Sequence, residues 1–385
     1  MASSKLSSSE HDVLRLIIRN SGISRNELAQ TTGLSMTTIA HTLKKLKELR
    51  YITHTRSNIA SQGGRPSDSY SFAYSRCICI GVMVRSNVIH LIATNLRGDV
   101  VHHNSFNLTD FHTASFYDGL ALAIEKFICT SHIDTRHIRG IGVTVASQAA
   151  TDDSSETLLQ SAIESHVPYP VRIMREPLAL AAAETLYMPE ISHAVCLYLN
   201  TTMSSAFIED YRYVKNASFV EHMTLYPYMP SSSTHLSPLD SPSPLVCDCG
   251  QHGCANLYCS AQALLHSTAH PAQSVQNFMN TIRDGDYAAN RVFDTYKNSL
   301  ALLIHNIRMV HRIPVIIGGE VAKYMDSADI VELRSRTRTL APQTLIPELV
   351  AGTTPSVIKS VCHSNQAIIG AAYVLAQDYL DSLLS

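Results

Sequence analysis

Nowhere does the sequence run eighteen uncharged apolar residues together, the length that a helix crossing a bilayer requires. Its first residues, MASSKLSSSEHDVLRL, contain no apolar run of the size a secretory leader needs. These two absences argue against export and membrane spanning, and for a chain expected in the cytoplasm. Cysteine is present in odd number, nine residues, which fits reduced thiols better than a disulfide framework. Over 385 residues, 30 Lys and Arg stand against 32 Asp and Glu, and 45% of residues are apolar. A chain of this size and composition buries at least two cores, which predicts two or three domains of ordinary globular type.

The net charge of -2 is unevenly spread. Residues 1–76 hold eleven Lys and Arg against five Asp and Glu, a net of +6, and the remainder holds nineteen against twenty-seven, a net of -8. A basic head on an acidic body attracts phosphate backbones through counterion release, although a charge of this size also suits a solvated surface.

SSSEHDVLRLIIRN places Val13, Leu14, Leu16, Ile17 and Ile18 on a broad apolar helical face, which Gly22 ends. Ser24 and Glu27 have the spacing of a capping box and open a short second helix, and Gly33 supplies a turn. Ser35 is the expected N-cap of a third helix, MTTIAHTLKKLKELR, with Ile39, Leu43, Leu46 and Leu49 inward. Its other face shows Thr37, Thr38, His41, Thr42, Lys44 and Lys45. Short hydroxyl side chains at the front of a helix and lysines behind them suit base edges and phosphates respectively. The segment reads as a helix-turn-helix. YITHTRSNIASQGGRPSDSYSF then forms a two-stranded wing, from which Arg65 can reach into a narrow minor groove. The competing reading is a small three-helix bundle that binds a protein partner or nothing.

The body reads as α/β. CICIGVMV, VIHLIATN, IRGIGVTVAS, PVRIM, AVCLYLN and IPVIIGG are short β-branched runs, separated by helical segments such as FYDGLALAIEKFICTS, NSLALLIHNIRMVH and NQAIIGAAYVLAQDYLDSL. That alternation predicts largely parallel sheets covered by helices. The last helix, around residues 367–384, either covers the body's core or mediates assembly.

SRNELAQTTGLSMTTIAHTLKKLKELRYI, then GGRPS, then CDCGQHGC together resemble the ROK family of repressors, open reading frames and sugar kinases over nearly the whole chain. The resemblance implies a winged helix-turn-helix over residues 1–75, followed by a two-lobed actin-like ATPase (ribonuclease H-like) fold over residues 76–385. Lobe one then covers about 76–185 plus the C-terminal helix, and lobe two about 186–365.

A sugar kinase needs glycine where backbone amides approach phosphate, and a carboxylate base. Where family kinases carry their first phosphate loop, this chain has Val82, Met83, Val84, Arg85 and Ser86; at the second it has Asn200, Thr201, Thr202, Met203 and Ser204. Their Asn-Asp pair falls on Arg175 and Glu176, and their two sugar-holding glutamates on Phe219 and Asn256, while His222 is retained. The turn IIGGEV keeps Gly318 and Gly319 and then has Glu320. These losses predict a non-enzyme, the alternative being a bifunctional sugar kinase with Glu176 as base. The positions left for an effector are Glu176, His222 and Asn256.

Cys247, Cys249 and Cys254, with Gly250 and Gly253 turning the backbone between them, match the family's zinc segment. Three thiolates and one imidazole make a closed tetrahedral structural site for Zn2+. The resemblance gives the fourth position to His222, which stands 25 residues before Cys247 across a Ser/Pro-rich insertion. His235, His252 and Cys259 are rivals, and free buried thiols are the alternative to a metal.

Together these readings predict a DNA-binding transcription regulator, a repressor of sugar-related genes, gripping a double-stranded operator as a homodimer or homotetramer. A sugar or sugar derivative is the expected effector, and a protein partner is its competitor.

Overall fold

The computed structural model describes residues 6–56, 68–85, 87–111, 116–145, 153–215, 219–226, 246–267, 273–340 and 355–384. Two compact units divide the chain. Met1–Val143, Leu159–Arg172 and Ala372–Ser385 form the first, and Thr144–Leu158 with Ile173–Ala371 the second.

Local caps set the start of the first unit. The Ser7 hydroxyl accepts from the Glu10 amide, and the Glu10 side chain accepts from the Ser7 amide, which fixes the first turn of α1 (Ser8–Arg19). After β1 (Ile23–Ser24), Ser24 and Glu27 repeat the device at α2 (Arg25–Thr32), and Gly33 closes that helix in the left-handed region at φ 70°. The Ser35 hydroxyl accepts from the Thr38 amide at the head of α3 (Met36–Glu48). β2 (Ile52–Arg56) and β3 (Asp68–Phe72) pair antiparallel, and β1 adds to β3, so the wing has three strands rather than two. Arg65 lies outside the described residues.

Then come β4 (Ile78–Arg85), β5 (Val88–Asn95), β6 (Val100–Asn107), α4 (Phe116–Thr130), β7 (Ile138–Val145), α5 (Asp153–Glu164) and β8 (Val171–Arg175). Their sheet has the order β6-β5-β4-β7-β8. The second unit continues with α6 (Glu176–Tyr187), β9 (Ala194–Leu199), β10 (Met203–Glu209) and β11 (Arg212–Val214). It goes on through α7 (Asn256–Cys259), α8 (Ala261–His266), α9 (Val275–Arg283) and α10 (Tyr287–Val310). β12 (Val315–Gly318), α11 (Gly319–Tyr324), α12 (Ser327–Thr339) and β13 (Val357–Lys359) follow, and α13 (Ala367–Leu384), which from Ala372 onward belongs to the first unit, completes the order. The second unit's sheet runs β11-β10-β9-β12-β13.

Both sheets are mixed, which corrects the expectation of largely parallel ones. β4, β5 and β6 are antiparallel neighbours, as are β9, β10 and β11, and only the β9-β12-β13 pairings of the second sheet are parallel. The cause is local: Asn87 at φ 63°, and Asp210 and Tyr211 at φ 49° and 63°, turn the chain back within a few residues. A parallel return needs a long crossover instead.

The head does not have a core of its own. Val13, Leu14, Ile17, Ile39, Leu43 and Leu46 belong to one buried cluster with Cys77, Cys79 and Leu96, and with Ala372, Leu375 and Ala376 of α13. Polar contacts fasten the same seam: Tyr74 donates its hydroxyl to the Ile18 carbonyl at 3.0 Å, and Arg15 donates to the Leu384 carbonyl at 3.4 Å. The Arg76 guanidinium lies over the Tyr51 ring at 4.2 Å. α13 therefore covers a core, and that core includes the head. The second unit packs around Val195, Leu197, Leu199, Phe278, Tyr296, Leu300 and Ile317.

Candidate functional site

On α3, Thr37, Thr38, His41 and Lys44 are exposed, while Ile39, Leu43 and Leu46 are buried. Thr42 differs from expectation: it is 2% exposed and belongs to the inner face, because it follows Ile39 by three residues and shares that stripe. Ser35 is exposed, with its hydroxyl spent on the cap. Lys45 folds back, and its Nζ lies 2.7 Å from Glu10 Oε2. Burial alone would raise the Glu10 carboxyl; the bonds from Lys45 and from the Ser7 amide overcome this and hold it below its ordinary value. Lys44, which the spacing along α3 does not distinguish from Lys45, lies outside that pair and is exposed.

The cysteine loop is shaped by its glycines. Gly250 and Gly253 take φ of 84° and 76°. A Cβ on Gly253 would stand 1.9 Å from the Tyr226 carbonyl oxygen, so only glycine lets the loop close on the segment carrying His222. The Leu225 amide donates to the Gly253 carbonyl at 2.8 Å, and the Ala255 amide to the Met223 carbonyl at 2.8 Å. Ligand atoms of His222, Cys247, Cys249 and Cys254 converge within 4.8 Å of one another. Cys247 Sγ is 3.5 Å from His222 Nδ1, and Cys249 Sγ is 3.6 Å from Cys254 Sγ. Burial, and then the neighbouring thiols, push Cys254 up to about 12, whereas the Gln251 amide holds Cys249 down. A thiol crowd without a cation is electrostatically unfavourable once ionised, and a divalent metal relieves it, so this donor set fits a tetrahedral ion. Cys259 lies apart in the core, with its carbonyl accepting from the Tyr296 hydroxyl at 2.6 Å. His235 lies outside the described residues, and His252 is not in the converging group.

The turns that the family resemblance aligns with phosphate loops are engaged in bonds within the protein. β4 continues as strand through Val82, Met83, Val84 and Arg85, paired with Leu91, His90, Ile89 and Val88 of β5. After β9, the Met203 amide donates to Asn256 Oδ1 at 2.7 Å. After β12, the Glu320 amide donates to Asn200 Oδ1 at 3.0 Å. Gly319 has φ 85°, and a Cβ there would stand 2.5 Å from the Leu199 nitrogen, so the turn admits no other residue.

Glu176 opens α6, where the helix dipole favours an acid. Arg175 before it pairs with buried Glu156 at 3.2 Å, and Lys215 approaches the same carboxylate at 3.7 Å. Phe219, which the resemblance aligns with a glutamate of the family kinases, is 74% exposed. His222 belongs to the cysteine group, and Asn256 to the Met203 amide. Sequence reasoning missed Glu156 and Lys215, and no local spacing announces them. It also missed Glu184, two turns along α6 and 1% exposed, whose carboxylate accepts from Ser360. Glu184 Oε2 and the Tyr198 hydroxyl are buried with no hydrogen-bond partner among the described residues.

The class these observations define is a winged-helix DNA-binding head carried by an α/β body with a loop in which three cysteines and a histidine converge. Residues 79–378 match the model of the ROK family, and residues 6–53 match a winged helix-turn-helix DNA-binding model. The chain belongs to the ROK family. It is 25% identical over 312 residues, 77% of each chain, to the xylose repressor of Bacillus subtilis (strain 168). The crystal structure of a ROK family transcriptional regulator, a homologue of the E. coli MLC protein, covers 98% of both chains at 17% identity with a TM-score of 0.70. The ROK hexokinase from Thermus thermophilus covers 79% of this chain and 99% of its own at 15% identity, with a TM-score of 0.62.

Burial pushes the Glu184 carboxyl up to about 7 against the Ser360 bond, which acts the other way. Its stabilising contribution is therefore complete below about pH 4.5 and is lost as pH rises through about 7. Glu184→Gln keeps the acceptor and removes the ionisation. Thermal melts should show the variant level with the parent at pH 5 and more stable at pH 8, by up to about 3 kcal/mol. Parallel pH profiles would refute this.

Proposed function

We propose that this chain is a DNA-binding repressor of sugar-related genes, responsive to a sugar or sugar derivative, whose kinase-type body senses and does not phosphorylate. The observation that carries the reading is the pairing of a winged-helix head with phosphate turns whose amides are held by Asn256 and Asn200. The xylose repressor relative supports the carbohydrate link. Residues 1–75 serve as the DNA-binding domain and 76–385 as the sensing and assembly domain. Thr37, Thr38 and His41 meet base edges in the major groove, Lys44 meets phosphate, and Ser35 and Lys45 hold α3 in place while contributing at its edge. Arg65 reaches the minor groove.

Zn2+ occupies His222, Cys247, Cys249 and Cys254 as a structural ion, without an open position for chemistry. It fixes the loop next to Asn256, and Glu176, His222 and Asn256 line the effector pocket. An effector acts by binding the DNA-competent and incompetent arrangements with different affinity. Two copies related by a two-fold axis present two α3 helices to a palindromic operator in the cytoplasm.

Two measurements test this. Lys44→Ala should weaken operator binding for all sequences alike and reduce the slope of log affinity against log salt by about one, read by fluorescence anisotropy. An unchanged slope would remove α3 from the phosphate backbone. Elemental analysis should find about one zinc per chain, lost in Cys247→Ser together with several degrees of melting temperature. A folded, metal-free protein with all its thiols titratable would overturn the zinc assignment.

A further inference from the structure

The three thiols that converge with His222 do not stand alike. Cys247 and Cys254 are 3% and 0% exposed, whereas Cys249 is exposed. The two sides of the loop are also held unequally. On the Cys254 side, Gly253 is closed on the Tyr226 carbonyl, and the Leu225 and Ala255 amides bond across to fix it. On the Cys249 side, a Cβ on Gly250 would meet nothing within 4 Å. Cys249 therefore sits beside open space, and Cys254 is anchored.

The sulfurs of these two residues are 3.6 Å apart, while Cys247 faces His222 Nδ1 at 3.5 Å. A disulfide holds its sulfurs about 2.0 Å apart, so closure asks for a shift of about 1.6 Å, which the free side of a glycine-turned loop can supply. An exposed sulfur backed by a second, buried one is the arrangement in which oxidation stops at a disulfide, because the buried sulfur captures the sulfenic acid before it oxidises further.

We propose that Cys249 and Cys254 are a peroxide-sensing pair, which closes to a disulfide and so withdraws two of the four donors from the metal. The Cys249 sulfur attacks a peroxide oxygen: an S–O bond forms, the O–O bond breaks, and the far oxygen leaves as water, or as an alcohol from an alkyl hydroperoxide. The Cys254 sulfur then attacks the Cys249 sulfur: an S–S bond forms, the S–O bond breaks, and that oxygen leaves as water. The two sulfurs lose two electrons and the peroxide takes them; the protons come from the thiols, or from solvent where the thiolates hold metal. His222 and Cys247 alone are too few to retain the ion, and the loop ahead of Asn256 loses its frame.

The inference rests on the zinc reading above, and its experiment separates the two. Full-length protein carrying Cys129→Ser, which removes the other exposed thiol, is treated with hydrogen peroxide in slight excess. Two free thiols should disappear, peptide mapping should join Cys249 to Cys254, a chromogenic chelator should collect about one zinc per disulfide, and dithiothreitol should reverse the link. Cys249→His keeps four donors and hence its zinc, and should release it at least about tenfold more slowly under the same peroxide. A link through Cys247, thiols that end as sulfinic acid without a disulfide, or zinc released from Cys249→His as fast as from the parent overturns the pair. Zinc-loaded protein whose thiols stay reduced in peroxide overturns the pair and leaves the metal in place. Protein without zinc that still joins Cys249 to Cys254 leaves the peroxide chemistry standing and overturns the metal reading.

Discussion

A backbone amide serves one acceptor well, and the amides of Met203 and Glu320 are already committed, to Asn256 at 2.7 Å and to Asn200 at 3.0 Å. Phosphoryl transfer depends on such donors being free and on glycine clearing the space in front of them. In this chain two asparagine carbonyls take those amides, and β4 runs on as paired strand through Val82 to Arg85. The third turn still needs its glycine, since a Cβ on Gly319 would strike the Leu199 nitrogen at 2.5 Å, but the space serves the protein's own packing.

What such a body offers a regulator is a fixed frame for its head. Because Leu14 and Ile17 share a buried cluster with Leu375 and Ala376, the winged helix cannot shift on α13 without exposing apolar surface on both sides of the seam. Arg15 and Tyr74 add directional bonds across it. α3 is held against α1 as well, since Lys45 is drawn back to Glu10. The cysteine loop plays the same part in the second unit, where Gly253 closes on Tyr226 and brings His222 among three thiols that a metal would neutralise.

The parts legible in the sequence were those whose signal is local. Ser24 with Glu27, Ser35 and Gly33 announce helix ends within three or four residues, and Cys247, Cys249 and Cys254 stand close enough in sequence to announce that their thiols converge. β4, β5 and β9 were legible because continuous burial demands β-branched and apolar residues. β6 left no such trace, since a strand exposed on both faces has no apolar alternation to read. The mixed sheets escaped for a related reason: the hairpin turns at Asn87 and at Asp210–Tyr211 lack the glycine that usually marks them. Side-chain pairs distant in sequence were beyond reach, as with Lys45 and Glu10, 35 residues apart, or Ser360 and Glu184, 176 apart.

The most direct test of the account is titration of the purified protein with magnesium ATP, alone and with xylose or glucose, by isothermal calorimetry. Occupied amides predict no saturable heat up to millimolar nucleotide and no ADP formed. Stoichiometric binding at micromolar ATP would contradict it and return the body to the kinases.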